Sequence, residues 1–319
     1  MKRAYKTELN PTPEQAQKMR RGIGICRFLY NLYITENKKL YRMYQRGLLD
    51  STQPHFLTAI DFDKYVNNKL KLKPQYAFIS KCGSKARKRA LVNAESAIKL
   101  FWKGRANFPR FKKKQDQEVK LYFPRNNKTD WTVQRHRIKI PTFGYVKLKE
   151  YGYLPIDAKV INGFISYSGG RYFASITVEA NMAPCQKADS GIGIKLVQSN
   201  KLPERTKQLE QKLAKQQRKL RRKYRLDKAM SAGKEKQLCK VQRLEQKLAY
   251  SQDDHINKLV AQAVSSKPKY ITIEYSTRDT RLIADFKAKL AFKCASLGIE
   301  LRRTDDLQRL AVPVLTIKI

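Results

Sequence analysis

Polar and apolar residues alternate through Lys2-Arg3-Ala4-Tyr5-Lys6-Thr7-Glu8-Leu9, which predicts a short strand. Pro11-Thr12-Pro13-Glu14-Gln15 then predicts a helix start, with Thr12 as N-cap, Pro13 at the first helical position and Gln15 at the reciprocal capping position. Met19, Ile23, Cys26, Tyr30 and Tyr33 recur at spacings of three and four, so this helix is expected to reach about Gly47, a natural stop. A shorter helix is expected over 57–72. A third, over 84–101, gathers Ala90, Leu91, Ala94, Ala97, Ile98 and Phe101 in one stripe and sets Lys85, Lys88, Arg89 and Lys99 on the opposite side.

Between Gly104 and about Val178 the period changes to two. Ile138 and Ile140 alternate with charges, Val146 and Leu148 with lysines, and 161–167 and 171–178 flank Ser168-Gly169-Gly170, where adjacent glycines take the positive φ angles of a tight hairpin. A strand at the N-terminus and a sheet after residue 118, separated by helices, predict a barrel carrying a helical insertion. After a linker over 184–190, Gly191 to Val197 reads as a buried strand. Two long helices, 203–226 and 234–264, follow with a hinge at Ser231-Ala232-Gly233, Leu209, Leu213, Gln216 and Leu220 forming one seam and Val241, Leu244 and Leu248 the other. A strand over 270–274, a helix over 284–297 and a short strand near 300–302 complete an α/β terminal domain.

Composition adds a partner class. Lys and Arg number 68 against 27 Asp and Glu, a net charge of +41, and such an excess is self-repelling unless a polyanion neutralises it, so nucleic acid is the expected partner. The 41% hydrophobic and 10% aromatic shares exclude a disordered basic tail. Residues 201–250 hold 17 basic and five acidic side chains, an excess of one sign that favours phosphate contact over an ordinary solvated face. No apolar run is long enough to span a bilayer and the opening residues lack the apolar stretch of a secretion signal, so neither membrane nor export is expected, and the cytoplasm is the expected compartment. Cysteines at 26, 82, 185, 239 and 294 are too widely spaced for a disulfide framework or a CxxC zinc site, and are expected as small buried apolar residues. His55, His136 and His255 are scattered, and no metal site is expected from them.

Several segments resemble the TnpB family, the RNA-guided nucleases encoded by insertion-sequence transposons and ancestral to single-effector type V CRISPR nucleases. Tyr5-Lys6 with Pro11 to Gln15 looks like the family's opening, and Cys26-Arg27-Phe28-Leu29-Tyr30-Asn31 is similar to its first-helix signature. Gly104-Arg105-Ala106-Asn107-Phe108-Pro109-Arg110-Phe111-Lys112-Lys113-Lys114 resembles its Phe-Pro-Arg-Phe-Lys element, and Arg137 to Pro141 with Gly144, and Tyr172 to Glu179, look like wedge-domain strands. The resemblance implies an α+β multidomain protein. A wedge-type β-barrel is expected from 1–10 and 104–183, an inserted helical recognition domain from 11–103, and a RuvC (RNase-H-like) domain from 184–319 with a basic helical hairpin over 203–264. By the same resemblance Lys85, Lys88 and Arg89, with Asn126 and Asn127, are expected to read a short motif beside the DNA target. Arg27, Arg110, Lys112, Lys113, Lys114, Arg218, Arg221 and Arg222 are expected to hold guide RNA or the heteroduplex.

The departures bear on activity. Active members carry three carboxylates for two metal ions, the first after a strand reading approximately Gly-Ile-Asp-Leu-Gly, where this chain has Gly193-Ile194-Lys195-Leu196. Two Mg²⁺ ions about 4 Å apart need clustered negative oxygens, which an ammonium repels. Glu274 matches the second carboxylate; alone, it is expected to cap a strand or pair with a base such as Lys195. The third normally follows a four-cysteine zinc element for which no CxxC is found here, Asp305 and Asp306 read as a solvated turn, and the stretch after Lys195 is too short for the strand hairpin of active members. The RuvC domain is therefore expected to be truncated, without zinc, catalytic Mg²⁺ or any other cofactor. The expected function is that of a nuclease-dead repressor that binds guide RNA and double-stranded DNA, as a monomer per guide RNA, and blocks transcription on the bacterial nucleoid. The alternatives are an active guided endonuclease and a general RNA-binding or chaperone protein.

Overall fold

The alternation at the N-terminus becomes β1 (Lys2–Asn10), and the capping box that follows starts α1 (Pro13–Gln45). Gln15 N–H donates to Thr12 Oγ1 at 3.3 Å and Thr12 N–H to Gln15 Oε1 at 3.1 Å, satisfying two helix-end donors reciprocally. The Gln15 amide also donates to the carbonyls of Phe143 and Tyr145 at 3.1 and 2.9 Å, tying the helix start to a later strand. The structure is a computed structural model that describes residues 2–49, 55–114, 119–125, 130–156, 158–179, 188, 190–197, 203–226, 231–274, 280–304 and 312–318. They divide into two compact units, Lys2–Ala180 and Asn181–Ile319.

In the first unit the helix expected over 57–72 is shorter. Helix α2 (Ala59–Tyr65) passes into a π-turn at Val66–Leu70, and a 3₁₀ segment, Pro74–Lys81, leads to α3 (Ser84–Trp102). Lys73 is held extended by the proline that follows, so the α-helix cannot continue through it. The strands are β2 (Leu121–Pro124), β3 (Thr132–Val133), β4 (Arg137–Ile140), β5 (Gly144–Leu148), β6 (Val160–Ser168) and β7 (Arg171–Glu179). They form one antiparallel sheet in the order β2-β6-β7-β1-β5-β4-β3. β1 is paired along its length with β7, Lys2 opposite Glu179 and Leu9 opposite Tyr172. Closure into a barrel is not seen: among the described residues no ladder joins β2 to β3. Gly169 and Gly170 have φ of 59° and 79°, the pair of left-handed residues that a two-residue hairpin between β6 and β7 requires. Met19, Leu29, Leu91 and Ile98 from the helices share one continuous core with Leu121, Ile138, Val146 and Ile176 from the sheet.

The second unit is an α/β layer. β8 (Ile192–Val197) is followed by α4 (Glu204–Leu226) and α5 (Ala232–Ala263), then β9 (Tyr270–Glu274), α6 (Arg281–Leu297), β10 (Glu300–Thr304) and β11 (Val314–Lys318). The four strands are parallel in the order β10-β9-β8-β11. β11 is a strand beyond those that the sequence pattern predicts. Its place beside β8 leaves the other flank of β8 to β9, and Ile194, Ile271, Phe286, Leu290 and Ile317 fill the core between sheet and helices. The start of β8 admits only glycine at 191, since a Cβ there would lie 2.2 Å from the Tyr270 ring. Among the described residues no helix is long and apolar enough to cross a membrane.

Candidate nucleic-acid interface

Helix α3 separates its residues as the stripe predicts, with Ala86, Ala90, Leu91, Ala94 and Ile98 buried and Lys85, Lys88 and Arg89 exposed. The three cations are held differently. Lys88 Nζ lies 3.4 Å from Asp63 Oδ2 on α2, and the Arg89 guanidinium stands 5.5 Å from the centre of the Tyr122 ring on β2. Asp63 also accepts from the Asn67 amide at 3.1 Å. A fourth cation of the same run turns inward: Arg87 is 6% exposed and donates to Asn67 Oδ1 at 3.3 Å. Nothing in the residue types of Lys85 to Arg89 marks Arg87 as the inward one except its phase with Ala86 and Ala90. Asn126 and Asn127 lie outside the described residues.

The segment after α3 is fastened to α1 by side chains distant in sequence. Asn31 donates to the Lys112 carbonyl at 2.9 Å and accepts from the Lys112 N–H at 2.8 Å, a reciprocal pair that fixes an otherwise irregular stretch. Phe108 packs edge-on against Phe101 with ring centres 5.2 Å apart, and Lys38 Nζ lies 5.7 Å from the Phe108 ring. Lys112 Nζ lies 5.5 Å from the Tyr30 ring. Thus anchored, the segment displays Arg110, Lys113 and Lys114 to solvent beside α1. Arg27 is partly buried on α1, and burial lowers its pKa from the ordinary value.

The hairpin of α4 and α5 is antiparallel: Thr206 Oγ1 meets Ser251 Oγ at 3.1 Å, Gln217 donates to Glu245 at 3.2 Å, and Lys223 donates to the Gly233 carbonyl at 3.2 Å. Its seam is more polar than the leucine spacing predicts. Gln237 is buried and donates to both the backbone and the side-chain oxygen of Gln216, each at 3.0 Å, while Leu209, Leu213 and Leu220 are half-buried. Ser231 caps α5 by accepting from the Lys234 N–H at 3.3 Å, which makes the expected hinge a helix start. Arg218, Arg221 and Arg222 are exposed on α4.

At the carboxyl end of the parallel sheet, Ile194 is level with Ile273, and continuing that register by one residue brings Lys195 level with Glu274. Thr304 is paired with Glu274 on one side and Thr316 with Lys195 on the other, giving a row Thr304, Glu274, Lys195, Thr316. Lys195 is exposed and Glu274 half-buried, and no ion pair joins them among the described residues. Nor, among those residues, is there a cluster of three or more His, Cys, Asp or Glu able to hold a metal ion. One carboxylate level with an ammonium does not fit a pair of divalent cations. Asp305 and Asp306 lie outside the described residues.

The sequence reading passed over cations stacked on rings in the sheet. Arg3 stands 4.9 Å from the Tyr5 ring, and Arg137 stands 4.5 Å from the Tyr145 ring; both arginines are exposed. Such pairs offer a planar donor and an aromatic face together, the combination that contacts phosphates and unstacked bases. The signal available was tyrosine and arginine sharing short strands with lysine.

Residues 1–46 match a family described as a helix-turn-helix domain. Over 282 residues, 85% of this chain, the sequence is 27% identical to InsQ of Escherichia coli K12, named as an RNA-guided DNA endonuclease, and the match spans 65% of that protein. It is 24% identical over 324 aligned positions, covering 94% of this chain and 77% of the relative, to a Streptomyces pristinaespiralis protein also named as an RNA-guided DNA endonuclease. Among solved structures, a Cas12f1–sgRNA–target DNA complex is similar over 95% of this chain and 89% of that one, with 10% identity and a TM-score of 0.45.

Proposed function

We propose that this chain is a TnpB-family protein that binds a guide RNA and through it a DNA target, holds that target without cutting it, and thereby represses transcription. RNA-guided DNA binding draws support from the names of its relatives and from the exposed cations of three separate elements: α3, the Arg110 to Lys114 segment and α4. Guide pairing supplies sequence recognition, so the protein needs backbone contacts and one short motif rather than a full reading of the DNA. Lys85 and Arg89 serve that motif and its flanking phosphates; Arg110, Lys113, Lys114, Arg218, Arg221 and Arg222 serve the RNA backbone. In this reading the sheet of the first unit is the wedge and the parallel layer of the second is a reduced RuvC fold.

What supports the absence of cutting is Lys195 in β8, one residue past the Ile194–Ile273 pair, where the continued register sets it level with Glu274. A metal-dependent nuclease has to concentrate anionic oxygens there, and the register row instead offers a cation between a carboxylate and a threonine. A bound complex that persists across a promoter excludes RNA polymerase by its bulk, with no bond made or broken.

The test uses the protein purified with its copurifying RNA. A DNA matching that RNA should be retained in a gel-shift assay and remain intact with Mg²⁺ or Mn²⁺, and a reporter with the matched site in its promoter should be repressed. Nicking abolished by Glu274→Ala would establish the active endonuclease instead. Recovery of mixed cellular RNA, with DNA binding indifferent to its sequence, would establish a general RNA-binding protein.

A further inference from the structure

Cys26 and Cys82 are 56 positions apart in sequence, yet their sulfurs lie 3.8 Å apart inside the first unit. Cys26 sits in the middle of α1 and is fully buried, and Cys82 is 7% exposed at the junction between the 3₁₀ segment and α3. We propose that these two cysteines form a reversible dithiol–disulfide site that reacts with hydroperoxides. This stands on the geometry of the thiols and is independent of the nucleic-acid reading.

Three features favour reaction over simple packing. Each cysteine borders a different cavity: Cys82 lines one of about 290 Å³ with Lys18, Gly22, Leu121 and Phe123, and Cys26 another of about 370 Å³ with Tyr30, Ala90 and Asn93. Either cavity admits a molecule the size of hydrogen peroxide. The second feature is Arg87, buried on the first turns of α3, whose Nε and Nη1 have no hydrogen-bond partner among the described residues. The hydrogen bond with Cys26 lowers the Cys82 pKa first, and the positive charge of Arg87 lowers it further against the opposing effect of burial. The same hydrogen bond and burial raise that of Cys26, and Cys82, the more exposed of the two, is assigned as the nucleophile with Cys26 as the resolving thiol. Third, Cys82 is extended, with φ −120° and ψ 135°, between two helical segments rather than within one. The sulfurs must approach from 3.8 Å to about 2.05 Å, and a residue at an element boundary accommodates that shift more readily than one inside a helix.

The Cys82 thiolate attacks one peroxide oxygen; the S–O bond forms, the O–O bond breaks, and the departing alkoxide or hydroxide takes a proton. Cys26 then attacks the sulfenic sulfur, the S–S bond forms, the S–O bond breaks, and hydroxide leaves with the Cys26 proton as water. Two thiols are oxidised by two electrons while one hydroperoxide is reduced to an alcohol, or to water from hydrogen peroxide, plus one further water. The crosslink joins α1 to the start of α3, three positions before Lys85.

The full chain is treated with hydrogen peroxide, remaining thiols are blocked, and the digest is read by mass spectrometry. The expected product is a Cys26–Cys82 linked peptide, lighter by about 2 Da than the two reduced peptides together and lost after dithiothreitol. Burial pushes the Cys294 thiol up to about 11, so Cys294 is expected to remain reduced in the same sample. In Cys26→Ser, Cys82 should stop at a sulfenic acid that dimedone traps. A wild-type chain in which both sulfurs stay reduced while half-buried Cys239 oxidises would show the pair to be core packing alone. Oxidation of Cys82 directly to sulfinic acid without a linked peptide would equally overturn the proposal.

Discussion

Arg89 and Lys85 stand one turn apart on the solvent side of α3, and their surroundings give them different work. The guanidinium of Arg89 stands over the Tyr122 ring, whereas exposed Lys85 has no ion pair or ring contact among the described residues and acts as a point charge. On the proposed function, Arg89→Ala lowers affinity for the matched target by about tenfold and relaxes the requirement for the adjacent motif, while Lys85→Ala weakens all targets alike and flattens the salt dependence by about one ion. Filter binding at several salt concentrations separates the two, and thermal melting should show stability changes within about 0.5 kcal/mol, since both side chains are exposed. At the other site, Lys195→Asp sets a carboxylate level with Glu274, but the flanking positions in that row remain Thr304 and Thr316. That variant is expected to leave matched DNA intact in Mg²⁺, and any cutting by it would place the block to catalysis at residue 195 alone.

Among elements, the reciprocal bonds of Asn31 with Lys112 are the most exposed to a single change. Asn31→Ala removes the side-chain donor and acceptor that meet the Lys112 carbonyl and N–H, a cost of about 1–3 kcal/mol. Hydrogen exchange over 108–114 should accelerate and RNA affinity should fall, whereas a segment held chiefly by Phe108 would show neither. For the hairpin, replacing Arg218, Arg221 and Arg222 together by Ala should reduce the salt slope of RNA binding by about 2 while circular dichroism stays unchanged, because the helices are joined through Gln216, Gln237 and Val241 on the other side. The sequence carried much of this local architecture. The capping box at Thr12, the Gly169-Gly170 turn and the inner stripe of α3 are local patterns, and local patterns survive in a string of letters. The pairing of Asn31 with Lys112, of Arg89 with Tyr122 and of Cys26 with Cys82 was illegible because each joins residues that only the tertiary fold brings together. The seam of the hairpin was legible in part for a related reason: the spacing set Gln216 on the inner side, but its partner Gln237 lies on the other helix and only the fold brings the two together.

For the whole molecule, the charge of +41 couples stability to polyanions. A polyanion that binds only the folded chain stabilises it by about 2.7 kcal/mol at a hundred times its dissociation constant, so RNA or heparin should raise the melting temperature, and added salt should diminish the rise. An unchanged melting temperature would mean that the excess charge is spread too thinly to bind. The position of β1 has a consequence in time. It lies inside its sheet, not at an edge, and its two neighbours are made of residues 144–148 and 171–179. During synthesis the first strand leaves the ribosome with no partner and must wait while α1, α2 and α3 are made. A nascent chain halted after Ser168 should therefore keep Lys2–Asn10 open to protease, and the sheet can close around its own first residues only when Glu179 has cleared the exit tunnel.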